Sequence, residues 1–392
     1  MFDNNPSRLN TRSVKWDEAS ADVLPLWVAD MDFATAPCVQ AAIAQRALHP
    51  CYGYTLVPDD YYQAIIRWFW DQHQWRIHRH EILYTTGVVP AIAAIMRAVC
   101  QTGDHVVMLD PVYNCFYSCV RNAGATASMS PLSVTATADG VLHYEIDWND
   151  LEQRLANERA TVLLLCNPHN PVGRLWTSEE LSHIASLCLR HHVMVISDEI
   201  HCELTAPGTA YTPFATALTA ERQGLLYAVC TSPSKAFNIA GLQNADIIVP
   251  DAELRRRIDR AINLNETCDV NPFGVEAVIA AYNEGATWLH DLCQYIWANY
   301  HAACDYLLHE VPALRIADLQ ATYLLWVDYS QVTDMDSHEL CARLKEDARV
   351  WFNEGIAYGT AGEHHLRINL ATSRDTLLEA LKRFTTWLKT NF

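Results

Sequence analysis

The chain has 392 residues, half of them hydrophobic and 19% charged, a composition typical of globular proteins with a large core. Its 28 Lys and Arg residues against 46 Asp and Glu residues give a formal net charge of −18. Nucleic acids and anionic membranes bind basic surfaces, so we expect neither as a partner. The longest apolar run, residues 88–96, contains a proline and is too short to span a bilayer.

The chain starts with MFDNNPSRLN, which lacks the apolar stretch of a signal peptide. The 13 cysteines include no CxxC pair and are scattered along the sequence. We therefore expect reduced thiols and a cytoplasmic location. None of the 17 histidines stands in an HExxH motif or at a Cys/His ligand spacing, so the sequence predicts no metal site.

From about residue 80 to residue 250, short apolar runs alternate with amphipathic ones. This alternation predicts an α/β fold whose mostly parallel sheet is covered on both faces. The predicted strands are Ile82–Thr85, His105–Leu109, Ala125–Met129, Thr161–Cys166, Val193–Ser197, Leu225–Cys230 and Asp246–Val249. Helices are predicted over Ala91–Cys100, Trp148–Ala156 and Ser178–His191, the last with Ser178 as its N-cap.

The two ends of the chain differ from this central part. The first forty-odd residues lack the alternation, and after about residue 279 a helical block leads to a short region with strand candidates Tyr323–Val327 and Leu366–Leu370. We therefore expect residues 1–45 to form an N-terminal arm and part of a small domain. Residues 46–285 would form a large domain, and residues 286–392 the C-terminal small domain.

Residues suited to ligand binding or catalysis follow the predicted strands. Ligands bind at the carboxyl ends of parallel strands, because loops and helix N-termini converge there. A glycine turn, a proline-flanked asparagine or a strand-end aspartate is usually structural when it occurs alone, but here five such loops would line one crevice. The candidates are backbone N–H groups for a phosphate at Val88 and Val89, hydroxyls at Ser232 and Ser234, an aromatic ring at Tyr113, an amide at Asn170 and a carboxylate at Asp198.

The chain has only five lysines, and one of them has an unusual setting. Lys235 stands in a Ser-rich turn and is followed by an apolar segment, whereas Lys15 belongs to the N-terminal arm. A desolvated lysine has a lowered pKa and can form a Schiff base with a carbonyl. A structural role for Lys235 is the alternative. A reactive amine, the Asp198 carboxylate, a phosphate cradle and the Tyr113 ring together match the needs of pyridoxal phosphate.

The ordered motifs TTGVVP, DPVYN, NPHNPVG, SDEIH, TSPSKAFNIAGLQ and HLRINLA resemble the fold type I pyridoxal-phosphate enzymes of the class I/II aminotransferase superfamily. Within it, the chain is most similar to the MalY/PatB-like cystathionine β-lyase branch of carbon–sulfur lyases, a likeness that VADMDFATAP and CYGYT share. The resemblance covers nearly the whole chain. It implies a large domain with a mostly parallel seven-stranded sheet, a smaller α/β domain and pyridoxal phosphate as the cofactor.

The resemblance also implies a role for each site residue. Lys235 would hold the cofactor and move the substrate's α-proton, Asp198 would pair with the pyridine nitrogen, and Tyr113 would stack on the ring. Asn170 would contact the ring hydroxyl and the substrate, and Arg367 would clamp the substrate α-carboxylate. The phosphate would be bound by the amides of Val88 and Val89 and the hydroxyls of Ser232 and Ser234. Tyr54 would reach the phosphate in the neighbouring subunit of a homodimer.

Three positions depart from the wider superfamily. His201 stands where many aminotransferases have Tyr, and it would tune the ring hydroxyl or support Asp198. Gln243 replaces an Arg that assists the phosphate in many relatives. Asn353-Glu354-Gly355 replaces the branch's usual Pro-Gly turn, which leaves the contacts of that loop open.

The implied reaction is α,β-elimination from an L-amino acid that carries a sulfur leaving group at Cβ. Cystathionine or a related S-substituted cysteine would give a thiol, pyruvate and ammonia. Two alternatives stay open at this point. A class I/II aminotransferase would use the same lysine, aspartate and arginine, and a regulatory protein would bind the cofactor without turnover.

Overall fold

A twelve-stranded mixed sheet forms the centre of the computed structural model, which describes residues 2–218, 224–264 and 269–392. Its strand order is β13-β14-β11-β10-β5-β4-β3-β6-β7-β8-β9-β2, and β1 pairs with β12 outside it. The strands are β1 Leu24–Pro25, β2 Ile82–Thr85, β3 His105–Asp110, β4 Thr126–Ala136, β5 Val141–Ile146, β6 Ala160–Cys166, β7 Met194–Asp198, β8 Tyr227–Thr231, β9 Ala245–Ile248, β10 Arg315–Ala317, β11 Leu324–Asp328, β12 Val350–Trp351, β13 Asn353–Glu354 and β14 His365–Asn369.

Helices pack on both faces of this sheet, and three buried apolar clusters fill the space between the layers. Among the described residues, no helix combines the length and the apolar character needed to cross a bilayer. The helices are α1 Val14–Asp17, α2 Pro37–Ala47, α3 Asp59–His73, α4 Val88–Val99, α5 Asn114–Asn122, α6 Trp148–Leu155, α7 Ser178–Arg190, α8 Ala252–Asn263, α9 Pro272–Glu284, α10 Ala286–Glu310, α11 Ser337–Arg343 and α12 Arg374–Asn391.

The seven predicted strands form one half of the sheet, as expected. Strands β4, β3, β6, β7 and β8 are parallel neighbours, and β9 runs antiparallel to both β8 and β2. Strands β6 and β7 are almost entirely buried, which explains their continuous apolar sequences. The α/β fold class and the mostly parallel seven-stranded sheet are therefore confirmed.

The other half of the sheet continues from an extension of β4. The predicted strand Ala125–Met129 runs on to Ala136 and pairs antiparallel with β5. This extension was missed because most of its residues are exposed and carry little apolar signal. Strand β5 leads through β10 to β11 and β14, whose predicted bounds are shifted by one residue. Strands from before and after residue 285 belong to this one sheet. The proposed domain boundaries stay a prediction.

The N-cap of helix α7 is a correction to the sequence-based expectation. Thr177, not Ser178, caps this helix: its hydroxyl accepts a hydrogen bond from the Glu180 backbone N–H at 3.1 Å. The Glu180 carboxylate in turn accepts from the Thr177 backbone N–H at 2.7 Å. This reciprocal capping box satisfies two backbone donors at once, and it leaves Ser178 as the first helical residue.

The twelve cysteines in the described segments are free thiols, and Cys51 is the only exposed one among them.

The N-terminal arm runs along the C-terminal region, where β1 pairs with β12 and the Asn369 side-chain amide donates to the carbonyls of Val28 and Asp30. Residues 27–31 are thereby fixed against strand β14.

Lys15 differs from the simple arm residue expected from the sequence, because it is completely buried. Its Nζ lies 3.0 Å from Asp32 Oδ1 and donates to the Asp30 carbonyl, also at 3.0 Å. Trp16 Nε1 donates to the same Asp32 oxygen at 2.7 Å. Burial lowers the pKa of Lys15, and the Asp32 carboxylate opposes that shift. The ion pair therefore ties residue 15 to residues 30–32 of the arm.

We predict that Lys15→Ala lowers the free energy of unfolding by about 3 kcal/mol, since it leaves the buried Asp32 carboxylate without its nearest cation. The measurement is the urea unfolding midpoint at one fixed protein concentration. Lys382→Ala, at an exposed position, is the matched control and should leave the midpoint unchanged. Equal midpoints for the two variants would contradict a stabilising role of the pair.

Candidate active site

A cavity of about 200 Å³ opens at the carboxyl ends of strands β2, β6, β7 and β8. The loops after these strands supply most of its walls, as expected for a parallel sheet. Ala29 of the N-terminal arm closes one side. Predicted site residues that line the cavity are Val88, Val89, Tyr113, Asn170, Asp198, His201, Ser234 and Lys235.

Lys235 presents its amine to this cavity. Its Nζ donates a hydrogen bond to the Ala29 carbonyl at 2.6 Å. Burial lowers the pKa of Lys235 to about 8, the Arg367 guanidinium adds to the shift, and the carboxylates of Asp30 and Asp198 oppose it. The amine is therefore much more easily deprotonated than an ordinary lysine.

Asp198 is the last residue of β7 and is buried in the cavity wall. Its Oδ1 accepts a hydrogen bond from the Ile200 backbone N–H at 3.1 Å. Burial raises the pKa of Asp198 to about 7, and the nearby Glu199 carboxylate adds to the rise. Glu199 itself points elsewhere, because it accepts hydrogen bonds from Ser197 Oγ and the Phe214 backbone N–H. A cationic group placed beside the Asp198 carboxylate would therefore stabilise its charged form.

Arg367 lies beside the cavity, on strand β14. It is buried, and its Nη1 donates to Asn170 Oδ1 at 3.1 Å while its Nη2 donates to the Trp27 carbonyl at 3.1 Å. The guanidinium stands 4.7 Å above the Tyr358 ring, and its Nε has no hydrogen-bond partner within the described chain. A buried guanidinium with unused donor capacity is suited to bind a carboxylate.

The N-terminus of α4 lines the cavity and has the features of an anion-binding site. Gly87 is its N-cap and offers no side chain, so the first N–H groups of the helix, at Val88 and Val89, remain available. Ser234 and Gln243 lie on the same wall. This arrangement can bind a phosphate with backbone donors and the positive end of the helix dipole.

Ser232 and Tyr54 are not brought into the cavity of this chain. The Ser232 hydroxyl is buried, donates to the Asn244 carbonyl at 2.6 Å and accepts from the Ser234 backbone N–H at 3.1 Å. It therefore shapes the turn that carries Ser234. Tyr54 is 97% exposed, as a residue that serves another subunit would be. The phosphate roles of both residues stay predictions.

His201 and Tyr113 complete the polar wall. His201 is buried, and its Nδ1 has no hydrogen-bond partner among the described residues. Burial lowers the pKa of His201, and the cations of Lys235 and Arg367 lower it further, so the imidazole is neutral. Burial also raises the pKa of Tyr113, which keeps its hydroxyl protonated. Both groups can serve a ligand as neutral donors or acceptors.

Sequence reasoning missed the contribution of the N-terminal arm. The carbonyls of Ala29 and Trp27 accept hydrogen bonds from Lys235 and Arg367, and backbone oxygens carry no signal of residue type. The thiol of Cys166 in the wall was also missed, since the end of a buried strand indicates core. The contacts of the 353–355 loop, which the sequence left open, include a hydrogen bond from Asn353 Nδ2 to Tyr358 Oη at 2.9 Å. This bond supports the Tyr358 ring below Arg367.

The fold and this site define a fold type I enzyme, and comparison with known proteins agrees. Residues 21–384 match the aminotransferase class I and II family. The chain belongs to this family. Cystathionine beta-lyase PatB of Bacillus subtilis is 38% identical over 387 residues, which cover 97% of this chain and 98% of PatB. Protein MalY of Escherichia coli is 33% identical over 96% of both chains.

A solved structure shows the same architecture with its cofactor. Cystalysin from Treponema denticola, whose crystal structure contains pyridoxal 5′-phosphate, superimposes with a TM-score of 0.93 at 31% identity. The match covers 100% of this chain and 99% of cystalysin. The resemblance to the MalY/PatB-like branch is thereby confirmed. The residues found here fit the same cofactor: a helix N-terminus without a side-chain cap, a buried acid and a desolvated amine face one cavity.

We predict that capture of pyridoxal phosphate by the apoprotein accelerates as the pH rises through about 8, because only the neutral Lys235 amine attacks the aldehyde. Below that pH the rate should fall about tenfold per unit. Stopped-flow absorbance measures the rate. Free Nα-acetyl-lysine is the reference, and its inflection should lie about two units higher. A profile that matches the free amine would contradict the desolvation of Lys235.

Proposed function

We propose that the protein is a pyridoxal-phosphate-dependent carbon–sulfur β-lyase that cleaves L-cystathionine or related S-substituted cysteines to a thiol, pyruvate and ammonia. One observation carries the proposal: the Lys235 amine and the Asp198 carboxylate face a single cavity, with the buried Arg367 fork beside it. The 38% identity to a cystathionine beta-lyase over nearly the whole chain supports the choice of reaction.

The residues divide the work of holding the cofactor. Bound pyridoxal phosphate supplies an aldehyde that bonds to amines and a protonated ring that withdraws electrons from the substrate's Cα. Lys235 holds the aldehyde end, and Asp198 keeps the ring nitrogen protonated. The amides of Val88 and Val89 hold the phosphate end with Ser234. The neutral side chains of Tyr113 and His201 complete the binding of the ring.

Lys235 is the general base of the proposed reaction. With a pKa of about 8, roughly a tenth of the free amine is neutral at pH 7, against less than a thousandth for an ordinary lysine. Lys235, free again once the substrate's amino group takes its place on the aldehyde, would remove the proton from the substrate's Cα, and the sulfur group would leave Cβ as a thiolate. The hydrogen bond to Ala29 holds the amine at the cavity wall before the cofactor binds.

Arg367 and Asn170 orient the substrate. Arg367 binds the α-carboxylate through its guanidinium edge, and Asn170 holds the guanidinium through the hydrogen bond from Nη1 to Oδ1. The Tyr358 ring beneath the guanidinium fixes its plane. A carboxylate held in one orientation places the Cα–H bond for removal by Lys235.

The alternative is an aminotransferase, which the matched family also includes in its name. Transamination uses the same lysine, aspartate and arginine but needs a keto acid to accept the amino group. A cofactor-binding protein without turnover would show no reaction on thioether amino acids.

We predict pyruvate release from L-cystathionine alone, without any keto acid, measured with lactate dehydrogenase. Lys235→Ala removes the base and should lower kcat by at least about a hundredfold. Lys382→Ala, at an exposed position outside the site, should retain wild-type activity. Turnover that begins only after addition of a keto acid would identify an aminotransferase instead, and no reaction with cystathionine, cystine or S-alkyl cysteines would favour the binding protein.

We also propose a homodimer in which Tyr54 completes the phosphate site of the partner subunit, and a cytoplasmic location. The 97% exposure of Tyr54 supports the first of these, because a large aromatic side chain outside its own cavity is free to enter another. Tyr52, two residues before it, is also exposed, but its hydroxyl is engaged with the Ala47 carbonyl at 2.9 Å.

We predict that Tyr54→Phe weakens pyridoxal phosphate binding by about 10- to 100-fold, through the loss of one hydrogen bond to a charged group. Tyr52→Phe is the matched control and should bind normally. Mixing Tyr54→Phe with Lys235→Ala chains should restore one tight, active site per hybrid dimer. A monomer in sedimentation, or mixtures no more active than their separate components, would refute the shared site.

A further inference from the structure

A second and larger cavity, of about 330 Å³, is lined in part by the turn that follows β7. Helix α3 contributes Trp68 and His73 to its wall, the turn contributes Cys202 and Glu203, and helix α10 contributes Cys293. The proposed lyase reaction uses none of these side chains.

Three different donor groups converge in this wall. His73 Nε2 lies 2.9 Å from Glu203 Oε1, and the Cys202 thiol donates to the same oxygen at 3.6 Å. One ligand atom from each of the three residues lies within 4.8 Å of the other two. The His73 and Glu203 side chains are only 9% and 7% exposed, and Cys202 is buried. Imidazole, thiol and carboxylate thus meet at one point.

We propose that His73, Cys202 and Glu203 form a binding site for a zinc-class transition-metal ion. Zn²⁺ binds imidazole nitrogen, thiolate sulfur and carboxylate oxygen in a tetrahedron, in which neighbouring ligand atoms lie about 3.3–3.6 Å apart. Two of the separations, 2.9 Å from His73 to Glu203 and 3.6 Å from Cys202 to Glu203, are close to that range, and the ligand atoms of all three residues lie within 4.8 Å of one another. A set of nitrogen, sulfur and oxygen donors selects Zn²⁺ or Co²⁺ over Mg²⁺ and Ca²⁺, which prefer oxygen alone.

The surroundings suit such an ion. Trp68 Nε1 donates to Glu203 Oε1 at 2.6 Å and so fixes the carboxylate, as groups behind metal ligands commonly do. Within the described chain, all three side-chain hydrogen bonds to Glu203 go to Oε1, which leaves Oε2 as a further donor atom. The cavity in front of the cluster provides room for a fourth ligand, such as water.

An ordinary buried ion pair is the simpler interpretation of His73 and Glu203. It accounts for two of the three groups, but it gives no reason for the Cys202 thiol to point at the same oxygen or for a cavity in front of them. No sequence motif indicated this cluster, and no metal site was predicted, because His73 stands far from Cys202 along the chain. Folding brings the end of α3 against the turn after β7.

The test is a titration of the chelator-treated holoenzyme with Co²⁺, recorded as difference spectra against the same holoenzyme without metal. We expect one Co²⁺ per chain, the visible bands of tetrahedral Co²⁺ and a thiolate-to-cobalt charge-transfer band, all abolished by Zn²⁺. Cys202→Ser should remove the charge-transfer band and weaken binding at least about tenfold. Cys188→Ser, at a buried thiol on α7 outside the cluster, is the matched control and should keep both.

His73→Gln and Glu203→Gln are measured in parallel, so that one variant that fails to fold does not decide the question. Each should weaken binding at least about tenfold and keep the charge-transfer band. The proposal is overturned if the wild type binds no Co²⁺ at one equivalent, or if any folded ligand variant binds with wild-type affinity, since the ion would then sit on other histidines or thiols. The readout is binding alone, so it is independent of whether the protein proves to be a lyase.

Discussion

The active site depends on keeping an amine and an acid in the same poorly solvated cavity. Burial moves the pKa of Lys235 down to about 8 and that of Asp198 up to about 7, so both groups titrate near neutrality. The two shifts have the same cause, which is the cost of a charge without water. A cofactor with an aldehyde at one end of its ring and a basic nitrogen at the other relieves both groups at once.

The parallel strands make this arrangement possible. Asp198 ends the buried strand β7, and Lys235 follows its neighbour β8, so a single sheet edge fixes the distance between acid and amine. Arg367 comes from β14, near the opposite end of the strand order, and lies beside the same cavity, where it donates to Asn170 and to the Trp27 carbonyl of the N-terminal arm. In the proposed function, the substrate's carboxylate and the cofactor would thus be held by parts of the chain that are far apart in sequence.

The central sheet and most of the site could be predicted from the sequence, because buried parallel strands leave continuous apolar runs and their loops carry recognisable side chains. The extension of β4 and strand β5 could not, since half-exposed residues give a weak pattern. The burial of Lys15 and the roles of the Ala29 and Trp27 carbonyls also escaped, because they arise from tertiary packing of the arm. Ser232 was correctly placed in the loop after β8, but its hydroxyl donates to the Asn244 carbonyl and does not face the cavity.

The hydrogen bond between Lys235 and Ala29 makes the first thirty residues part of the reaction's starting state. The amine must release that carbonyl before it can bond to an aldehyde, and the carbonyl is held in place by a network that includes Asn369 and the Lys15–Asp32 pair. A loosened arm would therefore change how readily the empty protein is loaded, even with every residue of the pocket intact. In this fold, a backbone carbonyl of the N-terminal arm holds the Lys235 amine before the cofactor binds.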